Sequence, residues 1–313
     1  MTWSERMASI LSFGRKATAA PRPQSGELSA FLDGYSIEVM PRTAEKIDDF
    51  RAILPAGTRV YIAHIDGTPI DEMVATAARL TEEGFIVMPH FPARIIAGKD
   101  VLEHWIKAYK DVGVEQALLL AGGVNQPVGD FSDSMQMLET GLFDKHGFKR
   151  LHVAGHPEGN RDIDPDGGIA RVSEALRWKN DFQSRTDAEM AIATQFCFEA
   201  APVIEWANLL KEEGITLPIH IGVAGPAKLQ TLIKFAMVCG VGPSLRVLQR
   251  RAADLSKLML PFTPEAFLRE LAEHKARTPD FNIESVHVFP LGGITKAAEF
   301  MDEYGLSAGR VAV

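Results

Sequence analysis

A short apolar segment followed by a longer amphipathic one recurs along this chain, and this alternation constrains the fold more than any other feature. The apolar segments have the content of buried strands, and the segments between them have helical spacing. The predicted strands are residues 35–40, 59–64, 85–90, 116–121, 150–154, 190–199, 217–223 and 285–290. Eight strand–helix units over about 270 residues predict an α/β protein built as a (β/α)8 barrel. A doubly wound open sheet is the alternative, although no G-x-G-x-x-G sequence follows the first strand.

The regions outside this repeat set the predicted domain limits. Residues 1–27, which are punctuated by proline and glycine, are predicted to form an N-terminal leader. Residues 28–313 are predicted to form a single barrel domain. A helix over 43–54 is expected after the first strand, and an insertion of helices over 241–277 before the last strand. This insertion is a candidate for an oligomer contact or a lid.

Composition argues against several classes of protein. The chain has 313 residues, of which 46% are hydrophobic and 24% charged, as in ordinary soluble proteins. The net charge is −8 without a basic block, which argues against binding of nucleic acid. No uninterrupted apolar run approaches the length of a membrane span. The two cysteines, Cys197 and Cys239, are too few for a disulfide framework and suit a reducing cytoplasm.

Polar residues stand where the predicted strands end. In a barrel, the carboxyl ends of the strands meet at one mouth, where such folds bind their ligands. Gln195 ends a buried strand, where its amide has no packing role and needs hydrogen-bond partners. The other members of this set are Glu38, His64, Asp66, His90, Gly122, Gly123, His156, Glu158, Gly292 and Gly293. The sequence therefore predicts a ligand site at the mouth.

Glu38 is the most suggestive of these residues. It lies between Ile37 and Val39 in an apolar strand, so its carboxylate is expected to point into the barrel. Burial would raise the pKa of this carboxyl and make it a general acid near neutral pH. The alternative is a structural salt bridge, for example with Arg42.

The histidines and glycines of the mouth leave several chemistries open. Three of the histidines, with Glu38, could hold a zinc ion, but the sequence has no H-x-H pair and no metal is predicted. The Gly122-Gly123 pair would let a backbone approach a flat ligand or a phosphate, and a tight turn explains it equally well. Neither cysteine has a visible histidine partner, so no nucleophile is assigned.

Five short motifs follow one another from about residue 35 onward. They are Ile37-Glu38-Val39-Met40-Pro41-Arg42-Thr43, Pro89-His90, Leu120-Ala121-Gly122-Gly123 followed by Pro127 and Gly129, His156-Pro157-Glu158, and Thr194-Gln195-Phe196-Cys197-Phe198. They resemble the E-x-x-P-P-[KR]-T, Pro-His, L-R-G-D-x-P, Y-P-E and T-Q-F-F-F motifs of the methylenetetrahydrofolate reductase family, whose members are FAD-dependent (β/α)8 barrels. Each motif is weak alone, and their common order and spacing make the resemblance specific.

The resemblance implies a reaction and the residues that carry it. NAD(P)H would reduce FAD, which would pass hydride to the methylene carbon of 5,10-methylenetetrahydrofolate. Glu38 matches the general acid that helps to open the imidazolidine ring, and Gln195, next to Phe196, matches the glutamine that hydrogen-bonds folate. The positions that match FAD contacts are His90, Ala121, Gly122, Ala154 and His156, with Phe131 and Ser132 near the adenosine and Lys179 or Arg185 near the phosphates.

Two positions depart from the family pattern. Ala121 and Gly123 stand where the family has arginine and aspartate. Loss of a charge-assisted contact costs about 1.5–3 kcal/mol unless another group replaces it. His64 and Arg94 are the cofactor-binding candidates that could replace the missing charge-assisted contact.

Two other functions stay open beside the reductase. One is a folate-binding or methyl-transferring barrel without flavin chemistry, favoured by the two departures. The other is a metal-dependent hydrolase that would use His64, His90, His156 and Glu38. A small folate is the expected partner of both the reductase and the folate-binding barrel. A homo-oligomer is a further expectation. The sequence does not distinguish NADH from NADPH.

Overall fold

Eight parallel strands close into a barrel, which confirms the predicted (β/α)8 fold. The structure, a computed structural model, describes residues 25–239, 242–253 and 261–304. Each strand pairs with its neighbours in chain order, and β8 returns to pair with β1. The strands are β1 Ser36–Val39, β2 Arg59–Ile62, β3 Ile86–Pro92, β4 Gln116–Leu120, β5 Arg150–Gly155, β6 Glu189–Cys197, β7 Ile219–Ala224 and β8 Ile283–Phe289.

Helices cover the outside of the barrel. They are α1 Ser25–Leu32, α2 Pro41–Ala44, α3 Ile70–Glu82, α4 Lys99–Asp111, α5 Ser134–Glu139, α6 Leu142–Lys145, α7 Ala170–Phe182, α8 Ala200–Glu212, α9 Leu229–Val238, α10 Gly242–Ala253, α11 Glu265–Arg277 and α12 Ile294–Asp302. No helix in the described part of the chain has both the length and the apolar character of a membrane span.

Three sequence predictions can be placed against these helices. The single helix over 43–54 is wrong, because α2 ends at Ala44 and a separate 3-10 turn, capped by the side chain of Asp49, covers Phe50–Ala52. The predicted insertion before the last strand contains α10 and α11, although residues 241 and 254–260 lie outside the described residues. Residues 1–24 of the predicted leader also lie outside them.

The main apolar core lies between the strands and the helices. Alternate strand residues, such as Ile37 and Val39 of β1, are buried in this layer. The helices meet them with one apolar stripe each, as in α3, where Met73, Ala77 and Leu80 recur at helical spacing and are buried. This outer core holds the strands in register. The strand residues that point the other way line the lumen of the barrel.

The lumen of the barrel is unusually polar. Barrels of this class mostly fill their lumen with branched aliphatic side chains. Here the apolar filling is one small cluster, made of Tyr61, Met88, Leu118 and Ala193 with Leu120 beside it. Buried histidines, His152, His220 and His287, occupy much of the remaining space, and their rings pack on Tyr61 or on one another. Each of these buried polar groups needs a hydrogen-bond partner.

A β-bulge in β6 places Gln195 at the mouth. The pairing between β6 and β7 shifts register between Ala193 and Phe196. Bulges bend a strand and re-aim its side chains, often beside a functional site. Gly222 of β7 permits this bulge, since its N–H donates to Thr194 Oγ1 at 2.8 Å and an added Cβ would lie 2.5 Å from the carbonyl oxygens of Thr194 and Gln195.

We expect Gly222→Ala to lower the free energy of unfolding by about 1–3 kcal/mol, because the new methyl group overlaps the backbone of β6. Urea unfolding followed by circular dichroism measures this difference. Gly123→Ala is the matched control, since a Cβ at Gly123 meets nothing within 4 Å, and it should change stability by less than about 0.5 kcal/mol. Equal stability of the two variants would contradict this account of the bulge.

Candidate functional site at the barrel mouth

Three strands bring a carboxylate and two imidazoles together at the mouth. Glu38 Oε2 lies 3.3 Å from His90 Nε2 and 3.8 Å from His287 Nε2. The Glu38 side chain is 19% exposed, whereas that of His287 is 2% exposed. Neither Nε2 atom has a well-directed hydrogen bond to any protein group, although both are buried. Two buried imidazole nitrogens therefore lie beside one partly exposed carboxylate.

The pKa of Glu38 is lowered, and the predicted rise is wrong. Burial does favour the neutral carboxyl, but His287 and His90 together outweigh burial and lower the pKa of Glu38 to about 2. The salt bridge with Arg42 considered from the sequence is not its pairing, because the imidazoles lie closest to the carboxylate. Glu38 is consequently ionised at neutral pH in this structure.

Gln195 and Cys239 border a small cavity at the same mouth. Its volume is about 70 Å3, and its lining residues are His156, Pro157, Glu158, Gly159, Asn160, Gln195, Phe196, Cys197 and Cys239. Gln195 Oε1 accepts the Phe196 N–H at 3.2 Å, which orients the amide. Burial, with the nearby charge of Glu38, raises the pKa of Cys239 to about 11. Cys239, which lines the cavity, is therefore within electrostatic range of Glu38.

His156 and Lys179 form a buried basic group on the β5 side. Lys179 Nζ donates to the Ala154 carbonyl oxygen at 3.1 Å. Burial lowers the pKa of Lys179 to about 8, although the nearby charge of Asp133 acts to raise it. Burial, followed by the charge of Lys179, lowers the pKa of His156 to about 4. Lys179 is thus a poorly solvated cation that an anionic group would stabilise.

Arg185, the other basic residue considered, has a different environment. Its guanidinium lies 5.1 Å from the ring centroid of Trp178 and 4.8 Å from that of Phe182. It lies in the 3-10 turn just before β6, near the amino end of that strand and away from the mouth. Of the two, Lys179 is the one that the fold brings to the candidate site.

The residues after β4 form a backbone surface held by Arg94. Arg94 donates to the carbonyl oxygens of Ser132 and Val124, at 3.0 and 3.1 Å. Its guanidinium therefore fixes the loop and does not replace the missing family arginine at a ligand. Gly122 has a φ of +95° and packs on Pro92, whereas Gly123 faces open space.

The remaining predicted residues differ in their exposure. His64 stacks on Trp105, its Nε2 lies 2.9 Å from the Thr68 carbonyl oxygen, and its Nδ1 is buried without a partner. The Phe131 ring is buried in the apolar core, while Ser132 is exposed beside it. Phe196 is buried against Phe198 and Phe289. Of these residues, His64 offers the unpartnered polar atom.

Within the described ranges, no group of three or more histidine, cysteine, aspartate and glutamate side chains is arranged to hold a metal ion. His287, which approaches Glu38 and is held by Ser36, was not predicted as a site residue from the sequence. A strand reading Val286-His287-Val288, with its polar residue at an inward position, was the available signal.

Comparison with known proteins supports the fold and leaves the family open. A scan of the sequence against protein-family models finds no match. A protein from Clostridium thermocellum that binds two copies of 5-methyl-5,6,7,8-tetrahydrofolic acid is similar in structure, with a TM-score of 0.54, 10% identity and coverage of 90% of this chain and 96% of that one. A mandelate racemase/muconate lactonizing enzyme from Bordetella bronchiseptica gives a TM-score of 0.44 at 11% identity, over 89% of this chain and 58% of that one. At 10% identity, the similarity to the Clostridium protein shows a shared fold.

We expect Glu38 to make stability depend on pH in a defined window. A carboxyl with a folded pKa of about 2 and an ordinary value of 4.5 stabilises the fold fully above roughly pH 5, and this contribution disappears as the pH falls towards 2. The difference in unfolding free energy between wild type and Glu38→Gln should therefore shrink by about 3 kcal/mol over that window. Urea unfolding at a series of pH values measures it.

The exposed neighbour Glu45 provides the control for this experiment. Glu45→Gln should follow the wild-type pH profile. If the Glu38→Gln and wild-type profiles run parallel throughout, the lowered pKa of Glu38 is wrong.

Proposed function

We propose that this chain binds a reduced folate at the barrel mouth and reduces 5,10-methylenetetrahydrofolate to 5-methyltetrahydrofolate, with FAD and NAD(P)H as cofactors. The observation that carries the proposal is the Glu38 carboxylate between His90 and His287, beside the cavity that Gln195 borders. The resemblance of five sequence motifs to the methylenetetrahydrofolate reductase family supports it. The similar Clostridium barrel that binds a methylated tetrahydrofolate gives further support.

The residues on the β2 to β5 side fit a flavin in part. Gly123 leaves open space over the end of β4, where a flat ring system can lie against the backbone. The unpartnered Nδ1 of His64 is a buried polar atom available to such a ring. Lys179 would hold the phosphates, since a buried amine with a carbonyl partner gains from an anion. FAD, when bound there, would supply hydride transfer between the nicotinamide cofactor and the folate.

In this proposal, Gln195 and Glu38 act on the folate. The Gln195 amide, oriented by its contact with the Phe196 N–H, hydrogen-bonds the pterin ring. Glu38 donates a proton to a nitrogen of the imidazolidine ring, which opens the ring and leaves the methylene carbon as an electrophilic iminium. Gln195 thus orients the substrate, and Glu38 activates it.

Glu38 must be protonated to act as an acid, although it is ionised in this structure. A flat ligand placed over the mouth would cover the exposed part of the carboxylate and exclude water from it. Desolvation favours the neutral form of a carboxyl, so substrate binding draws a proton onto Glu38 and the same contact places that proton beside the ring nitrogen. This account predicts proton uptake on folate binding, in step with activation of the substrate.

A second candidate function is folate binding or methyl transfer without flavin. Ala121 and Gly123 replace two charged family residues, and Arg94 is engaged with backbone carbonyls. The cavity of about 70 Å3 is also smaller than the roughly 300–1,000 Å3 usual for small-molecule sites. The two replacements and the engagement of Arg94 favour weak binding of FAD.

We expect the purified protein to absorb near 450 nm (roughly the isoalloxazine band) and to lose this band with NADH in the absence of oxygen. Lys179→Met should weaken FAD affinity by about 10- to 100-fold, the loss expected for one charge-assisted contact. Arg185→Met is the matched control and should leave FAD affinity unchanged. A colourless protein that takes up no FAD but binds 5-methyltetrahydrofolate would select the second function.

We expect Glu38→Gln to keep NAD(P)H-dependent flavin bleaching and to lose folate reduction by at least about 100-fold, because a positioned general acid contributes roughly that factor. Stopped-flow absorbance separates the two half-reactions. Glu45→Gln should retain both. Full folate turnover by Glu38→Gln would remove Glu38 from the role of acid.

A further inference from the structure

A tight turn after β5 carries a carboxylate into the wall of the mouth cavity. The Gly159 N–H donates to the His156 carbonyl oxygen at 3.0 Å, and Gly159 has a φ of +72°. Pro157 restricts the backbone at the second position of this turn, which leaves Glu158 at the third. Glu158 lines the same cavity as Gln195 of β6. The turn thus brings a carboxylate to the cavity that the Gln195 amide borders.

The loop beyond this turn is fixed to the start of α7. The Asn160 carbonyl oxygen accepts the Asp164 N–H at 2.8 Å. The buried carboxylate of Asp164 in turn accepts the N–H groups of Arg171 and Val172, both at 3.0 Å, and so caps α7. These bonds restrict the loop that carries Glu158. A side chain on a restrained loop loses less entropy when it binds a ligand.

The two amide side chains of the cavity wall already use their oxygens. Gln195 Oε1 accepts the Phe196 N–H at 3.2 Å, and Asn160 Oδ1 accepts the Asp162 N–H at 2.9 Å. Each amide therefore has its NH2 group left to donate. Among the described residues that line the cavity, Glu158 is the one carboxylate. It is the side chain there whose two oxygens can accept two adjacent N–H groups at once.

The charge of Glu158 acts on the cavity wall. Burial, together with this charge, raises the pKa of Cys197 well above its usual value. Cys239 lines the same cavity and is affected by the charge of Glu38. Both carboxylates are therefore within electrostatic range of the wall. Their negative potential favours a ligand edge that donates hydrogen bonds over one that only accepts them.

The cavity has room for one edge of a ring. Its volume is about 70 Å3, which is less than the roughly 150 Å3 of a cavity that holds a benzene molecule. A fused bicyclic ring can therefore enter it only by an edge, while the rest of the ring lies over the mouth. The atoms on that edge decide which ligands fit.

We propose that Glu158 and Gln195 anchor a 2-aminopyrimidin-4-one ring, which is the end of a folate that carries the 2-amino group. The two adjacent donors of this ring, N3–H and the 2-amino group, meet the Glu158 carboxylate. The NH2 group of Gln195 donates to a ring acceptor that flanks them. The inference deepens the proposed function and rests on it for the identity of the ligand. It makes Glu158 a substrate-binding residue that determines specificity.

Calorimetric titration of the purified full-length protein with 5-methyltetrahydrofolate and with its 2-desamino-2-methyl analogue tests this anchor. The analogue lacks the 2-amino donor, so we expect wild type to prefer the parent folate by about 10- to 100-fold. Glu158→Gln puts a donor in place of one acceptor oxygen, so it should weaken binding of the parent and remove most of this preference. Asp162→Asn, an exposed change in the same loop, is the matched control and should keep the wild-type preference.

Steady-state kinetics separate this inference from the proposed function. Glu158→Gln should raise KM for 5,10-methylenetetrahydrofolate by about 10- to 100-fold and keep kcat, because it removes binding that the ground state and the transition state share. A folded Glu158→Gln with the wild-type preference overturns the inference, and so does a wild type that binds neither folate or prefers neither. Folate reduction with an unchanged KM in this variant overturns the inference and leaves the proposed function standing. The expected preference in a protein that reduces no folate supports the inference and contradicts the proposed reduction.

Discussion

Closing eight parallel strands creates a lumen that must be filled, and the rest of this structure depends on how it is filled here. The lumen residues are buried, so polar groups placed among them need hydrogen-bond partners. This chain places Arg150, His152 and Tyr61 there, hydrogen-bonded in that order, and it places Ser36 there against His287. These bonds join β5 to β2 and β1 to β8, so they tie the geometry of the mouth to the closure of the barrel.

The site at the mouth is a consequence of that filling. A carboxylate at Glu38 would be destabilised by burial alone, and the two imidazoles beside it reverse the sign of that effect. His287 belongs both to the site and to the lumen, since its Nδ1 meets Ser36 and its Nε2 approaches Glu38. The supporting residues therefore do not form a separate shell around the site. They are the core of the barrel itself.

The fold and part of the site could be predicted from sequence because they depend on local patterns. Apolar segments alternating with helical ones predict the strands, and polar residues at strand ends predict the mouth. The ionisation of Glu38 could not be predicted, since it depends on His90 and His287, which lie on other strands far along the chain. Arg185 and Lys179 were likewise equivalent in sequence, and only the fold buries the amine of Lys179 beside Ala154 while leaving Arg185 against aromatic rings.

The two halves of the mouth differ in chemistry, and this difference bears on where the chain departs from the family it resembles. The side formed by β1, β3 and β8 places the Glu38 carboxylate beside the imidazoles of His90 and His287. The end of β4 is bare backbone at Ala121, Gly122 and Gly123, and the nearby arginine is bound to carbonyl oxygens. A substitution that removes one member of the buried network around Glu38 leaves its partners unpaired. Such a network is therefore not easily lost one residue at a time. Exposed charges at a loop can be lost singly at little cost to folding. If the proposed function holds, divergence is expected at the end of β4, with the side of the mouth around Glu38 retained.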